Sequence, residues 1–412
     1  MKRFIKLVFL LVVFKAHPLI INADKTAAVR IMIVGVGHHT HALKELCQGI
    51  KNNLQFTGQF EVAIDYIDQL TEKKQVLSYQ SKAALLLTVL YNAHDHYVEW
   101  GIFNCKTGGR LESKRVMQKD LSIHQLGNLL ADAALEVLTG QKGPFCAKLV
   151  YCKEDIQQKK SKTHLCIADF NGQHEKVVQT SNSFLIAPRW NGDDVILYSE
   201  YTPVNMRLMV TNCKGEKEIA TDFNGLNMLP AFSQETDDVM VCLSVEGSSQ
   251  IYRYRYNTRK KRPEYVRLTF NEGNNLSPCI IKGGDIVFCS DFETNRPQIY
   301  RMDKQGKNIT CLSQGGSCTC PSYSYSQHKI AYAKLVNGVS QIMVHDLKSG
   351  STKQITHDQA HKEEASWSPC GNYLVFSVSD KKTKRLAIES LLTNQRTFIT
   401  GSDYRYSYPC WS

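Results

Sequence analysis

Along the C-terminal two thirds of the chain, short apolar, β-branched or aromatic runs return at a nearly fixed interval. They are Leu149-Val150-Tyr151, Ile196-Leu197-Tyr198, Met240-Val241-Cys242, Ile286-Val287-Phe288, Ile330-Ala331-Tyr332 and Leu374-Val375-Phe376, spaced 44 to 47 residues apart. A second strand follows each run, centred on Leu165-Cys166-Ile167, Leu208-Met209-Val210, Ile251-Tyr252-Arg253, Ile299-Tyr300-Arg301, Ile342-Met343-Val344 or Leu386-Ala387-Ile388. A third closes the unit at Thr180, Thr221, Thr269, Ser313, Thr356 or Thr400. Opening strands are marked by Pro188-Arg189-Trp190, Pro230-Ala231-Phe232-Ser233, Pro278-Cys279-Ile280, Pro321-Ser322-Tyr323-Ser324, Ala365-Ser366-Trp367-Ser368 and Pro409-Cys410-Trp411-Ser412. Four strands per repeat with a period in the forties is the pattern of a β-propeller blade. The first repeat, near residue 146, has no opening strand of its own, and the last opening strand ends the sequence. Joined, the two make one composite blade, so the pattern predicts six blades closed by the C-terminal strand, which pairs the edge an open ring would expose.

Residues 24 to 140 carry no blade and read as a small α/β domain. Val29 to Val34 is an apolar β-branched run, His41 to Leu54 places Leu43, Leu46, Cys47, Ile50 and Leu54 on one helical face, and Phe60 to Ile67 is a second strand. From Ala84 to Val116, strand-like runs are separated by the turn residues Asn92-Ala93-His94-Asp95 and Gly108-Gly109. A final helix, Ser122 to Leu138, turns Leu126, Leu129, Leu130, Ala133, Ala134, Val137 and Leu138 inward and stops at Gly140. The expected fold class is α+β multidomain: a small N-terminal α/β domain over 24–140, then a six-bladed β-propeller over 146–412.

The first 23 residues stand apart. Lys2, Arg3 and Lys6 precede the apolar stretch Leu7 to Phe14, and Ile21-Asn22-Ala23 offers a small residue for cleavage, as in a signal peptide. The apolar stretch is too short to span a bilayer, and no later segment reaches that length, so no transmembrane segment is expected in the mature chain. The formal net charge is +11, and removing residues 1–23 with their four basic side chains lowers it to +7. That excess permits contact with anionic polymers without requiring nucleic acid. Among the 14 cysteines, Cys152, Cys166, Cys242 and Cys289 lie in strand repeats as small core residues. Aligned positions also allow cross-strand pairs, Cys279 with Cys289 and Cys410 with Cys152.

Enzymatic chemistry finds no carrier. No Gly-x-Ser-x-Gly elbow occurs, and Gly35-Val36-Gly37 before the first helix lacks both the third glycine of a dinucleotide fingerprint and the Lys-Ser/Thr of a P-loop. His38, His39 and His41 are metal-capable types without a Cys or carboxylate nearby in sequence to complete a shell, and Cys318-Thr319-Cys320 is too short a motif. No catalytic residue, cofactor or metal is expected.

The segment from Leu126-Gly127-Asn128 through Ala131-Asp132 to Leu138-Thr139-Gly140-Gln141-Lys142-Gly143-Pro144-Phe145 resembles the junction between the domains of the TolB family, periplasmic propellers of the bacterial Tol-Pal system. Pro230-Ala231-Phe232-Ser233 and Ser366-Trp367-Ser368-Pro369-Cys370-Gly371 resemble its blade signature, Gln298-Ile299-Tyr300-Arg301-Met302-Asp303 its next strand and Pro409-Cys410-Trp411-Ser412 its closing strand. The resemblance runs from about residue 27 to the end. It implies a non-catalytic periplasmic adaptor bound to a Pal-like peptidoglycan-associated lipoprotein, supporting outer-membrane integrity and invagination at cell division. It also implies a TolA-type inner-membrane partner engaged through a mobile N-terminus, although only a few residues here separate Ala23 from Val29.

In a four-stranded blade, the loop entering the innermost strand shares a face with the loop between the second and third strands. On that face the sequence expects the partner-binding residues Phe184, Leu185, Leu226, Asn227, Met228, Leu229, Asn275, Leu276, Thr319, His361, Tyr404 and Tyr406. Apolar and aromatic side chains inside a polar rim suit a protein interface. Tyr408 belongs to the same aromatic loop, and Lys159-Lys160-Ser161-Lys162 and Lys381-Lys382-Thr383-Lys384-Arg385 add a shared basic patch on that face. Arg259-Lys260-Lys261-Arg262 falls on the opposite one. The alternative reading is a propeller that binds a small molecule or envelope glycan in its channel, which Asn274, Asn275, Asp358 and Trp367 would line.

Overall fold

The computed structural model describes residues 28–412 apart from 71–72, 157–161, 193, 234, 236–237 and 258–261. The expected signal peptide, Lys159-Lys160-Ser161 and Arg259-Lys260-Lys261 lie outside the described residues. The chain divides between Gly143 and Pro144 into two compact units.

The first unit contains, in order, β1 Val29–Val36, α1 His41–Phe56, β2 Phe60–Ile67, α2 Lys73–Leu77, β3 Leu85–Asn92, β4 Tyr97–Asn104, β5 Arg110–Met117 and α3 Ile123–Thr139. Its sheet runs β2-β1-β3-β4-β5, with β1 parallel to both neighbours and the remaining pairs antiparallel. A parallel pair needs a crossover, and α1 supplies it between β1 and β2. Thr40 caps α1, its Oγ1 accepting the Leu43 N–H at 3.2 Å, and Leu43, Leu46, Cys47, Ile50 and Leu54 are buried as the spacing predicts. A reciprocal Ser122/Gln125 capping box opens α3, and Gly140, at φ 72°, ends it.

The inward face of α3 is rotated from the expected one. Leu126, Leu130, Ala131, Ala134, Leu135 and Leu138 are buried, while Leu129 is exposed. Packing against α1 sets this rotation: Gly127 lies against Leu46, and Asn53 Nδ2 donates to Asn128 Oδ1 at 2.8 Å in the buried contact. Helix α2 has only five residues, too few to leave a periodic signal.

The second unit is β-propeller-like. Four sheets each hold four antiparallel strands in sequence order, spanning Leu185–Trp190 to Lys217–Thr221, Asn227–Phe232 to Arg262–Arg267, Asn275–Ile280 to Thr310–Cys311, and Cys318–Ser324 to Thr352–Gln354. A fifth sheet has eight strands. In it, His361–Trp367, Tyr373–Ser379, Lys384–Ser390 and Arg396–Phe398 join Tyr404–Trp411, Lys148–Asp155, Thr163–Asp169 and Lys176–Ser181. The junction is one parallel pair, Lys384 opposite Arg405, whereas Tyr404–Trp411 pairs antiparallel with Lys148–Asp155 along most of its length. Five sheets thus stand where the repeats predict six units, because that single bridge merges two expected units into one sheet.

First strands of successive sheets pack against one another, and Tyr404–Trp411 packs against both His361–Trp367 and Leu185–Trp190. Trp190 Nε1 donates to the Cys410 carbonyl at 3.1 Å and Trp367 Nε1 to the Ser322 carbonyl at 3.2 Å, each bond linking neighbouring first strands. The apolar clusters lie between sheets: Ala231, Met240, Cys242 and Ile251 of one sheet pack on Ile280, Ile286, Phe288 and Tyr300 of the next. Burial on both faces explains why the second strands read as continuous apolar runs rather than alternating ones.

Every first strand carries the same irregularity. Ala187, Leu229, Ser277, Cys320, Glu364 and Tyr408 are left-handed, with φ between 51° and 60°, and each falls at a register shift against the second strand. A left-handed L-residue costs roughly 1–2 kcal/mol, so six such bulges persist only because surrounding packing over-determines them. The observed register also overturns the expected cysteine pairs. Cys279 stands opposite Val287 and Cys289 opposite Leu276, while Cys410 faces Val150 and Cys152 faces Ser407. All four thiols are free, since in each pair the two cysteines stand at least two residues out of register.

Candidate partner-binding face

In an antiparallel four-stranded sheet, the chain enters the first strand and crosses from second to third at the same end. Backbone bonds tie these segments together: Tyr201 N–H donates to the Phe184 carbonyl at 2.9 Å, Ser244 N–H to that of Leu226 at 3.1 Å and Leu335 N–H to that of Ser317 at 2.8 Å. Large apolar side chains are exposed along this edge, with Phe184 at 54%, Val204 at 91%, Leu226 at 36% and Phe270 at 75%. Tyr201, Phe223 and Val245 extend the set across three neighbouring sheets. Phe270 carries the Arg267 guanidinium 5.1 Å from its ring centre. Tyr201, Val204, Phe223, Val245 and Phe270 were absent from the sequence expectation, although lone aromatic and β-branched residues between strand signals would have marked them.

Of the twelve expected residues, Phe184 and Leu226 are exposed apolar and His361 is exposed, while Met228, Leu229, Leu276, Thr319 and Tyr404 are half-buried. The strands begin earlier than expected, so ten of the twelve lie within first strands, ahead of or at the bulge, and not in loops. Leu185, Asn227, Asn275 and Tyr406 are buried and cannot meet a partner. Leu185 packs with Val150, Leu165 and Ile196, and Tyr406 lies 6.0 Å from the Tyr151 ring. His361 Nδ1 accepts the Ser340 N–H at 3.2 Å, and Lys153 Nζ stands 4.5 Å from the centre of the Tyr404 ring.

The two buried asparagines hold the entering loops. Asn227 Nδ2 donates to the carbonyls of Phe223 at 2.7 Å and Met206 at 2.8 Å, and its Oδ1 accepts the Phe223 N–H. Asn275 Nδ2 reaches the Gly273 carbonyl at 3.1 Å and Asn271 Oδ1 at 2.8 Å. The equivalent position two residues before the bulge is Lys362, whose side chain is completely buried. Its Nζ donates to the carbonyls of Asp358 at 3.1 Å and Ala360 at 2.6 Å and to the Asp358 carboxylate. Burial lowers the Lys362 pKa, its Asp358 contact acting the other way. The device therefore ties each side chain to the carbonyl two residues upstream, and at Asn227 and Lys362 also to the one four residues upstream, closing the entering loop. The sequence signal was Asn-x-x-Pro, twice.

The expected basic patch is only partly assembled. Lys384 Nζ donates to Glu364 at 2.9 Å, and the Arg385 guanidinium lies 3.8 Å from the Phe398 ring centre, leaving Lys381 and Lys382 exposed. The first of these contacts neutralises a charge the patch was meant to display. Asp358 and Trp367 do not meet in the channel: Asp358 turns to Lys362 and Arg396, while Trp367 lines a cavity at the far end of the first strands. Asn274 is spent on Asp291. In the first unit, His38, His39 and His41 are exposed, and His41 Nδ1 stands 3.8 Å from the Glu45 carboxylate, a nearby acid that the sequence expectation left out.

Comparison with known proteins places the fold. A solved structure of TolB from Acinetobacter baumannii covers 93% of this chain and 96% of its own at a TM-score of 0.80, with 22% identity. Hydrazine synthase of Kuenenia stuttgartiensis matches at a TM-score of 0.52 and 12% identity, over 66% of this chain and 47% of its own, so the propeller architecture alone does not fix a function. In sequence, the Tol-Pal system protein TolB of Francisella tularensis subsp. holarctica is 26% identical over 330 residues, covering 76% of this chain and 75% of the relative. The TolB of subsp. mediasiatica matches to the same extent. No helix among the described residues is long and apolar enough to cross a membrane. The description of the TolB beta propeller domain fits residues 135–412, two thirds of the chain, and the protein therefore belongs to the TolB family.

Proposed function

We propose that this protein is a non-catalytic, periplasmic adaptor of a Tol-Pal system that binds a Pal-like lipoprotein through the face where its first strands begin. The observation that carries this reading is the exposed apolar edge of Phe184, Val204, Leu226 and Phe270. Such a band, rimmed by polar residues, fits a protein partner better than water. Family membership supplies the direction, because the relatives in Francisella are Tol-Pal system proteins. Export by a cleaved segment over 1–23 and a role in outer-membrane integrity at division complete the proposal.

The same reading takes the second unit, from residue 146, as six closed blades, with a 24–140 α/β domain before it. Support comes from the single bridge between Lys384 and Arg405, from the pairing of Tyr404–Trp411 with Lys148–Asp155, and from the Trp190–Cys410 bond.

Binding of a Pal-type periplasmic domain, followed by calorimetry, tests the face. The Phe184→Asp/Leu226→Asp variant should weaken binding at least tenfold, about 1.4 kcal/mol, without lowering the melting temperature. Unchanged affinity would remove this surface from the contact.

A further inference from the structure

A cavity of about 720 Å³ lies at the C-terminal ends of the first strands, the end opposite the proposed Pal-binding face. Every first strand contributes to it the residue two places beyond its bulge: Arg189, Ala231, Cys279, Ser322, Ser366 and Cys410. Arg189 is the one charged side chain among the described lining residues, and no Asp or Glu accompanies it. Among the described residues the guanidinium enters no ion pair; its hydrogen bond goes to the adjacent Pro188 carbonyl at 2.8 Å. It reaches far from its own strand. Burial pushes the Cys279 thiol up to about 12 and the Cys320 thiol to about 11, and on both Arg189 exerts a lowering influence from two and three strands away.

The remaining walls suit a ligand. Ser322 Oγ is buried and, among the described residues, has no hydrogen-bond partner. The indole N–H groups of Trp190 and Trp367 are already bonded to carbonyls, so those rings offer only apolar faces. A volume of this size lies within the range of small-molecule sites, roughly 300–1,000 Å³. An unpaired cation in a recess is costly, and a guanidinium presents a planar fork of donors that matches carboxylate and phosphate.

We propose that this cavity binds a small oxyanion-bearing ligand, whose carboxylate or phosphate is held by Arg189 with the Ser322 hydroxyl as a second donor and whose body lies against the Trp190 and Trp367 rings. The site is separate from the partner face and does not depend on the Tol-Pal reading.

Calorimetric titration of the full chain with inorganic phosphate and, separately, with succinate tests it. One of the two should bind one to one at low salt, and which one does so identifies the oxyanion. Arg189→Gln should weaken that binding at least thirtyfold, Arg189→Lys should retain part of it, and Ser322→Ala should weaken it about fivefold. Melting curves of each variant keep folding and binding apart. No binding of either anion at millimolar concentration, or equal binding by a folded Arg189→Gln protein, overturns the proposal. The Phe184→Asp/Leu226→Asp variant should bind the anion normally, so either proposal can fail alone.

Discussion

Lys362 offers the sharpest test of how the entering loops are held. Replacing it by Met keeps the volume of its stem and deletes three donors: those to the Asp358 carbonyl, the Ala360 carbonyl and the Asp358 carboxylate. These losses are unequal. The Asp358 carbonyl keeps the Gln341 Nε2–H bond at 2.6 Å, and the carboxylate keeps Arg396 at 2.5 Å and the Ala360 N–H at 3.1 Å. The Asp358 side chain is 50% exposed and can also rehydrate. That leaves the Ala360 carbonyl as the orphan, worth about 1–3 kcal/mol. Removing the buried ammonium works in the other direction by relieving its desolvation. We expect Lys362→Met to lose about 2 kcal/mol, or roughly 4–8 °C in melting temperature for a unit of this size. Lys362→Asn should cost less, because Asn227 and Asn275 perform the same task with an amide at the equivalent position. Urea titration of the purified protein reads both variants. A Met variant as stable as the parent, or an Asn variant no better than Met, would refute the idea that this position seals the loop.

Two further outcomes follow from burial and charge. Leu185→Ala should cost about 2–4 kcal/mol, as for other buried leucines, while Phe184→Ala should stay within about 0.5 kcal/mol in the same denaturation assay; equal costs would contradict the opposite orientations of these neighbours. Burial alone would raise the Asp358 carboxyl, but hydrogen bonds from Lys362 and Arg396 outweigh it and hold the group down at about 2. Its stabilising contribution is therefore complete above the unfolded value of about 3.9 and is lost as pH falls towards 2. Asp358→Asn should be less stable at neutral pH and show a shallower acid limb over that window in thermal melts, and an unaltered limb would count against the pairing.

The strand repeats, the α/β character of the first unit and the family were legible in the residues alone. A two-sided apolar strand and a four-strand period are local properties, written into runs such as Ile196-Leu197-Tyr198 and Leu374-Val375-Phe376, and α3 carried both of its caps, Ser122 and Gly140, in its own sequence. The residues alone did not show which side chains of the first strands face a partner. Asn227 and Leu226 are adjacent and both look like loop residues, yet one is fully buried on three carbonyls and the other is exposed. The left-handed bulge, at Ala, Leu, Ser, Cys, Glu and Tyr alike, is marked in five of six first strands by the proline that follows it, but that proline does not say which neighbouring side chains the packed sheets bury. Nor could pattern alone isolate Arg189 as the one charged side chain among the described residues that line the cavity. Pairing of charges depends on distances between strands tens to hundreds of residues apart, which only the packed sheets bring to one axis.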